Sequence, residues 1–320
     1  MTHAPDTLAP GMPANENFDC EVAVVGGGPA GLTGAIYLAR FRRSVHVLDA
    51  GSSRAVKIPR SHNMPGYPDG VVGKELVAAM RAQAERYGAQ LETACVQRLQ
   101  CLPDGEGGGF LLHFTEAGRA PLRCRRVLLA TGVSDNEPAM PHLAQALREG
   151  ALRYCPVCDG FEVIGSAVGV LTDRCAGVRE ALYLRHFSER VTLYFTQPVE
   201  LSGEDRQRLD GAGVALQPAP VRALRLRGDG GVRIEHEAGT DDCDAIYGAL
   251  GLRVHSRLAT ELGADHDDDG YLVTDARQRT SIEGLYAVGD VAQSLNQITV
   301  ATGGAAIAAA ALHRELGLPG

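Results

Sequence analysis

The sequence predicts an α/β protein of about two domains. Three observations carry this. An apolar run at residues 21–25 ends in a glycine turn and gives way to a helical apolar pattern. The same strand-to-helix rhythm returns at residues 167–184. The chain also has 320 residues, enough for about two domains at ~100–200 residues each.

Glu21 to Val25 reads as the first strand, and Gly26-Gly27-Gly28-Pro29-Ala30-Gly31 follows it. Leu32 to Ala39 then carries apolar residues at helical spacing. In such a strand–turn–helix, Gly26 permits the turn, Gly28 lets the backbone approach a pyrophosphate, and Gly31 lets the helix pack on the strand. The helix start faces the phosphates with unpaired N–H groups. Ser44 to Leu48 reads as the next strand. Asp49 closes it where an acidic side chain takes the ribose hydroxyls of an adenine dinucleotide. The motif does not choose between FAD and NAD.

Leu128-Leu129-Ala130-Thr131-Gly132 is a further strand with a small-residue exit. Near the far end, Gly284-Leu285-Tyr286-Ala287-Val288-Gly289-Asp290 is a strand closing on Gly-Asp, and Gln297-Ile298-Thr299-Val300-Ala301 opens a small-residue helix. A backbone-close turn with an acid, feeding a helix start, suits a second contact to the same dinucleotide. The apolar stretch Ala305 to Leu312 is too short to span a bilayer and reads as a buried helix.

Composition narrows the function classes. Apolar residues make up 45% and charged residues 22%, which is ordinary globular usage. A net charge of −8 argues against nucleic-acid binding, which needs a clustered basic surface. Residues 1–17 hold Pro5, Pro10 and Pro13 but no apolar core of a signal peptide, and read as a disordered lead-in of a cytoplasmic protein. Eight cysteines are present, and only Cys155-Pro156-Val157-Cys158 forms a short motif. Cys20, Cys95, Cys101, Cys124, Cys175 and Cys243 read as scattered thiols without a role. A zinc site is not expected, because there is no second CxxC or paired His motif. A CxxC at a helix start brings two sulfurs within bonding reach. One thiolate attacks a substrate disulfide and the other resolves the mixed disulfide.

The chain resembles the low-molecular-weight thioredoxin reductase-type FAD disulfide oxidoreductases. The matching pieces are the Gly26–Gly31 loop, His62-Asn63-Met64-Pro65-Gly66-Tyr67-Pro68, Ala130-Thr131-Gly132, Cys155-Pro156-Val157-Cys158-Asp159-Gly160, and Tyr286-Ala287-Val288-Gly289-Asp290 with its Gln297 helix. The resemblance implies two Rossmann-like, three-layer dinucleotide-binding domains, the second inserted into the first. Residues 18–134 and 251–320 would form the FAD-binding domain, and 135–250 the insert carrying the CxxC. It implies FAD held by Gly26, Gly28, Pro29, Ala30, Gly31, Asp49, Asn63, Thr131, Asp290 and Gln297, with Ala50, Val96, Ala130, Gly132, Gly289, Ile298 and Thr299 as further contacts. It also implies a homodimer. Cys158 would exchange electrons with the flavin, Cys155 would meet the partner, and Asp159 would be the general acid for the leaving thiolate. His62 reads first as a structural histidine, with a base near the flavin as the other reading. The glycine-rich patches 104–109 and 228–231 suit hairpin turns, and Arg227-Gly228-Asp229 is read as part of the second turn.

One region departs from the family pattern. A second dinucleotide loop is expected after the strand Ala167–Leu171 and before the helix containing Ala181-Leu182-Tyr183-Leu184. Thr172-Asp173-Arg174 stand where glycines belong. Their side chains obstruct close backbone approach, and Asp173 places negative charge at the pyrophosphate position. The following strand, Val191–Phe195, ends in Thr196-Gln197-Pro198-Val199, without the arginines that read a 2′-phosphate or the acid that reads a ribose. Arg174 as a phosphate contact keeps NADPH open. The expected function is therefore electron transfer between FAD and the Cys155–Cys158 pair, and on to a thioredoxin-like protein or small disulfide, without NADPH. Ferredoxin or flavodoxin would be the donor, or a second flavin would fill the vacated groove. The alternatives are an NADPH-dependent thioredoxin reductase, an oxygen-using dithiol oxidase, against which Asp159 in place of His argues, and a flavin-binding redox sensor.

Overall fold

A computed structural model describes residues 17–103 and 108–317. The expected disordered lead-in lies outside these residues except for its last position, as does most of the glycine patch at 104–109. In chain order the elements begin with β1 (Cys20–Val25), α1 (Pro29–Arg40), β2 (Val45–Asp49), α2 (Gly73–Arg86), β3 (Gln90–Thr93), β4 (Val96–Cys101), β5 (Phe110–Phe114) and β6 (Leu122–Leu129). They continue with β7 (Val133–Asp135), α3 (Leu143–Arg148), β8 (Leu152–Arg153), α4 (Pro156–Asp159), β9 (Ala167–Thr172), α5 (Gly177–Leu184), β10 (Arg190–Phe195), α6 (Gly203–Ala212) and β11 (Ala215–Gln217). The last are β12 (Val221–Leu226), β13 (Val232–His236), β14 (Gly239–Cys243), β15 (Ala245–Ala249), β16 (Leu252–Val254), α7 (Arg257–Thr260), β17 (Leu285–Ala287) and α8 (Ile298–Glu315).

The chain divides into two compact units. The first comprises the described residues up to Val56, Gly73–Ser134, and Val254 onward; the second comprises Lys57–Val72 and Asp135–Arg253. The second is thus an insertion into the first, as expected. The division differs from the expected one in two places: the insert runs to Arg253 rather than 250, and residues 57–72 group with it. The excursion 57–72 closes on itself through a bridge between Ser61 and Val71. Two ion pairs join it to the second unit, Lys57 Nζ to Glu137 Oε1 at 2.9 Å and His62 Nδ1 to Glu162 Oε1 at 2.7 Å. Asn63 therefore belongs to the second unit.

In the first unit, β3, β2, β1, β6 and β17 run parallel in that order, and β4 and β5 extend the sheet antiparallel from β6. The parallel strands are apolar runs because both faces are covered. On one face the β4–β5 hairpin contributes Leu99, Phe110 and Leu112 to a core with Val25, Val127, Leu129 and Leu285. On the other, α1 packs against the sheet and α8. Ala305, Ala308, Ala309 and Leu312 of α8 are buried, as the sequence predicted for this stretch. Arg43 ties the base of this layer. It is buried, with Nη1 2.8 Å from Glu21 Oε1, Nε 3.0 Å from His313 Nδ1 and Nη2 3.0 Å from the His313 carbonyl.

The second unit has an all-parallel sheet in the order β11-β10-β9-β15-β8, with β12, β13 and β14 forming an antiparallel meander. Successive residues of β9 alternate between two cores. Val168 and Val170 meet Val178, Ala181 and Leu184 of α5 and Leu209 of α6. Leu171 meets Leu224, Val232 and Ile234 of the meander and Ala146 of α3. Both units are therefore layered α/β structures around parallel sheets. The expected turn at 228–231 joins β12 to β13, closed by Arg227 N donating to Gly231 O at 2.7 Å.

Candidate active site

The Gly26–Gly31 loop sits at the carboxyl end of β1. Gly26 has φ 116°, and a Cβ there would lie 2.2 Å from the Ala130 carbonyl at the end of β6. A Cβ on Gly31 would lie 2.0 Å from the Gly26 carbonyl, so α1 can start against the strand only with glycine here. Gly28 is the N-cap of α1; no side chain caps it, and the first turn holds no acid. A Cβ on Gly28 would meet only Ser53 Oγ, at 3.2 Å, so its outer side is open. The last turn reaches the same place. Gly289, at φ 73°, lies where a Cβ would come 2.8 Å from Ala30 Cβ, and Asp290 follows in a 3-10 turn. Gly26, Gly28, Pro29, Ala30, Gly31, Ala130 and Gly289 are thus brought together. Thr131 Oγ1 donates to the His255 carbonyl at 2.7 Å, and His255 N donates to Gly132 O at 3.0 Å. Val96 is buried at the head of β4, Ala50 is exposed after β2, and Gln297, Ile298 and Thr299 open α8. Asn63, which the sequence places with this set, stands in the other unit, where its Oδ1 accepts from Ser61 Oγ at 2.9 Å.

Two residues of this region escape sequence reasoning. Asp49 Oδ2 accepts from Arg81 Nη1 at 2.8 Å, while its Oδ1 accepts from Gly51 N at 3.0 Å. Arg54 Nη1 lies 3.8 Å from Asp290 Oδ2. Neither arginine is at a spacing that local pattern would flag. An uncapped helix start, an open glycine backbone and a nearby acid together fit a dinucleotide such as FAD.

The second unit carries the redox pair. Cys155 and Cys158 form a disulfide with Cα atoms 5.2 Å apart. Cys155 is the N-cap of the short α4, and its Sγ accepts from Cys158 N at 3.2 Å. An amide aimed at this sulfur favours its thiolate when the pair is reduced. Val157 and Phe161 beside it are 47% and 75% exposed, an apolar surround unusual for side chains of this size. Asp159 closes the motif. Burial raises the pKa of its carboxyl, opposed by the Arg153 guanidinium and by a hydrogen bond from Tyr247. Glu162 holds His62 on one oxygen, while the other is buried without a hydrogen-bond partner. Arg153, Tyr247 and Glu162 were not visible as site residues in the sequence. His62 sits in this unit as an ion-pair partner.

The turn after β9 carries the departure read from the sequence. Thr172 is fully buried, with Oγ1 2.9 Å from the Arg174 carbonyl and 3.1 Å from the Ala249 carbonyl. Arg174 Nε donates to Asp173 Oδ1 at 2.8 Å, and its Nη2 reaches Leu250 O at 3.3 Å. The hydrogen bond from Arg174 lowers the pKa of Asp173. Gln197, at the position of the absent ribose reader, donates to the Asp173 carbonyl at 2.9 Å. One element of the pattern persists that the sequence reading missed. Gly177 starts α5, and a Cβ there would lie 2.5 Å from Thr172 Cβ. The close strand–helix packing remains, but an ion pair fills the place of the phosphate-facing glycines. These residues do not fit a pyrophosphate held by bare backbone.

Among the described residues, no group of His, Cys, Asp and Glu is arranged to hold a metal. None of their helices is long and apolar enough to cross a membrane. Cys20, Cys124 and Cys243 are buried free thiols, and Cys95, Cys101 and Cys175 are exposed ones.

A dinucleotide cradle in one α/β unit and a CxxC disulfide in an inserted second one define a two-unit dithiol oxidoreductase. Comparison with known proteins agrees. The model for the pyridine nucleotide-disulphide oxidoreductases matches residues 20–305, and the chain belongs to that family. It is an FAD-dependent disulfide oxidoreductase of the thioredoxin reductase type. The thioredoxin reductase of Treponema pallidum is 30% identical over 302 residues, covering 91% of this chain and 95% of the relative. The crystal structure of HlmI superposes with a TM-score of 0.86 at 29% identity, over 95% of this chain and 94% of that one. Thioredoxin reductase from Streptococcus pyogenes gives a TM-score of 0.81 at 26% identity, over 93% and 98%.

Proposed function

We propose that this enzyme moves electrons between FAD and the Cys155–Cys158 pair, and on to a thioredoxin-like protein or small disulfide, without using NADPH. The observation that carries the NADPH-independent part is the Asp173–Arg174 ion pair in the turn after β9. It replaces open backbone with two side chains and puts a carboxylate where a phosphate would lie. Reduced ferredoxin or flavodoxin is then the donor, with a second flavin in the vacated groove as the other route. The names of the relatives support a thioredoxin as the partner. Gly26, Gly28 and the start of α1 would hold the FAD pyrophosphate, with Asp49 and Asp290 at its ends. When bound, FAD supplies two-electron chemistry to the pair. Cys158 is assigned to the flavin side and Cys155 to the partner side, where the exposed Val157 and Phe161 offer an apolar rim. A homodimer in the cytoplasm completes the reading.

The test is anaerobic mixing of the yellow protein with NADPH, NADH, reduced ferredoxin and dithiothreitol in separate runs. Bleaching by ferredoxin and dithiothreitol but not by pyridine nucleotides is the expected result. Rapid bleaching by NADPH sinks the NADPH-independent reading and leaves an NADPH-dependent reductase. Bleaching by dithiols alone, with prompt reoxidation in air, makes the enzyme a dithiol oxidase.

A further inference from the structure

The Asp159 carboxyl is held at both oxygens by side chains that no sequence motif connects to it. Arg153 Nη1 donates to Oδ2 at 2.9 Å. The Tyr247 hydroxyl donates to Oδ1 at 2.9 Å and lies 3.2 Å from the Asp159 carbonyl. The two donors stand side by side, because β8 and β15 are parallel neighbours and Tyr247 is opposite Arg153 in their register. Each donor is itself fixed. Arg153 Nε donates to the Gly150 carbonyl at 2.9 Å, and a Cβ on Gly150 would crowd its Nη2 at 2.9 Å. Tyr247 is fully buried.

We propose that Arg153 and Tyr247 are positioning residues that hold Asp159 as the proton carrier of the Cys155–Cys158 pair. This rests on the exchange chemistry proposed above. In the reduced enzyme the Cys155 thiolate attacks one sulfur of the partner disulfide. That S–S bond breaks, and the leaving thiolate takes the proton held on Asp159. The Cys158 thiol then returns its proton to Asp159 and, as thiolate, attacks Cys155 Sγ. The mixed disulfide breaks, and the partner's second thiolate leaves and is protonated by water. The enzyme pair is oxidised, the partner has gained two electrons, and Asp159 carries its proton again. A carboxyl that gives and takes a proton at adjacent sulfurs must present the same face each time. A donor on each oxygen prevents it from rotating. The other charged group acting on it is Glu162, which holds His62 on Oε1; α5, which carries Glu180, packs against α4. Of these, Glu162 raises the Asp159 pKa, and Arg153 and Tyr247 lower it.

The test follows exchange of prereduced protein with dithiobis-nitrobenzoate as a function of pH. Cys95, Cys101 and Cys175 are exposed and react as well, so the signal of a Cys155→Ser/Cys158→Ser variant is subtracted. Asp159→Asn is expected to slow the pair by about 10²-fold and to flatten the pH limb. Arg153→Ala and Tyr247→Phe should each move that limb to higher pH, because each removes a group that favours the carboxylate. Arg153→Lys should restore part of the shift. Arg153→Ala combined with Asp159→Asn should be no slower than Asp159→Asn alone. An unmoved limb in both single variants overturns the proposal, as does a double variant slowed by the full product. Tyr247→Phe keeps the ring in place and carries the test if Arg153→Ala does not fold. If the cysteine variants react like the wild type, the reading of the pair itself has failed, a separate result.

Discussion

Arg174 turns back on Asp173, with Nε 2.8 Å from Oδ1 and Nη2 3.2 Å from Oδ2. The pair lies in the turn where a second dinucleotide would be cradled. Two side chains of opposite charge satisfy each other there, and Gln197 ties the turn from the next strand. The end of β15 holds it as well, since Thr172 and Arg174 donate to the carbonyls of Ala249 and Leu250.

Opening the turn should therefore change its ligand preference. Asp173→Gly/Arg174→Gly removes both side chains and the carboxylate. NADPH should then bind at least about tenfold more tightly than to the wild type, a difference of ~1.4 kcal/mol. Titration calorimetry with NADPH reads this directly, and an unchanged affinity would show that the loop is not what excludes it.

The first cradle should tolerate no side chain at the base of its helix. Gly31→Ala puts a methyl 2.0 Å from the Gly26 carbonyl and 3.2 Å from Val24 Cγ1. Helix α1 must shift, at a cost of about 1–3 kcal/mol, and flavin per purified chain should fall at least about tenfold. Gly203→Ala, at the start of α6 with nothing within 4 Å of its added Cβ, should keep its flavin.

The buried Arg43 should be costly to lose. Its side chain is 1% exposed and that of Glu21 is 13% exposed. Arg43→Ala removes the nearer of the two cations at Glu21 Oε1, leaving Arg125 Nη1 at 3.9 Å, and strips the end of α8 of its donor, which costs about 1–3 kcal/mol. The denaturant midpoint of unfolding should drop accordingly, with Arg43→Lys falling between the two because an ammonium cannot reproduce the fork.

Glu180 should make stability fall as pH rises. Burial lifts its pKa to about 6, and one oxygen has no hydrogen-bond partner. The folded state thus holds the proton more tightly than the unfolded chain, whose Glu titrates near 4.5. Its contribution is full below about pH 4.5 and is lost as pH passes through about 6. The change is about 1–2 kcal/mol. Comparing unfolding midpoints of the wild type and Glu180→Gln across that window isolates it; parallel curves would refute it.

Much of this was legible in the sequence because the demands were local. Gly26 and Gly31 are read from neighbours along the chain, since a turn and a strand–helix contact require glycine wherever they occur. Cys155 and Cys158 are read from a four-residue window. Arg153 and Tyr247 were not legible, because Tyr247 lies 88 positions from Asp159 and meets it only through strand register. Arg81 was hidden for the same reason, placed on Asp49 by the packing of α2. Gly177 was missed differently. With the two glycines ahead of it replaced, the third no longer spelled a motif, although its steric demand persists. Residues 57–72 follow β2 in sequence, but long-range ion pairs, not sequence neighbours, settle which unit they join.

Gly27 stands at the motif position usually written as any residue. Here a Cβ would lie 2.2 Å from Asp49 Oδ2 and 2.7 Å from Asp49 Cβ. Arg81 pins that carboxylate in place. The Cβ contact persists whichever way the carboxylate turns, so the strand end at Asp49 itself fixes the alphabet allowed in the loop. A library that varied this free position would find it restricted to one letter, whatever stood at position 81.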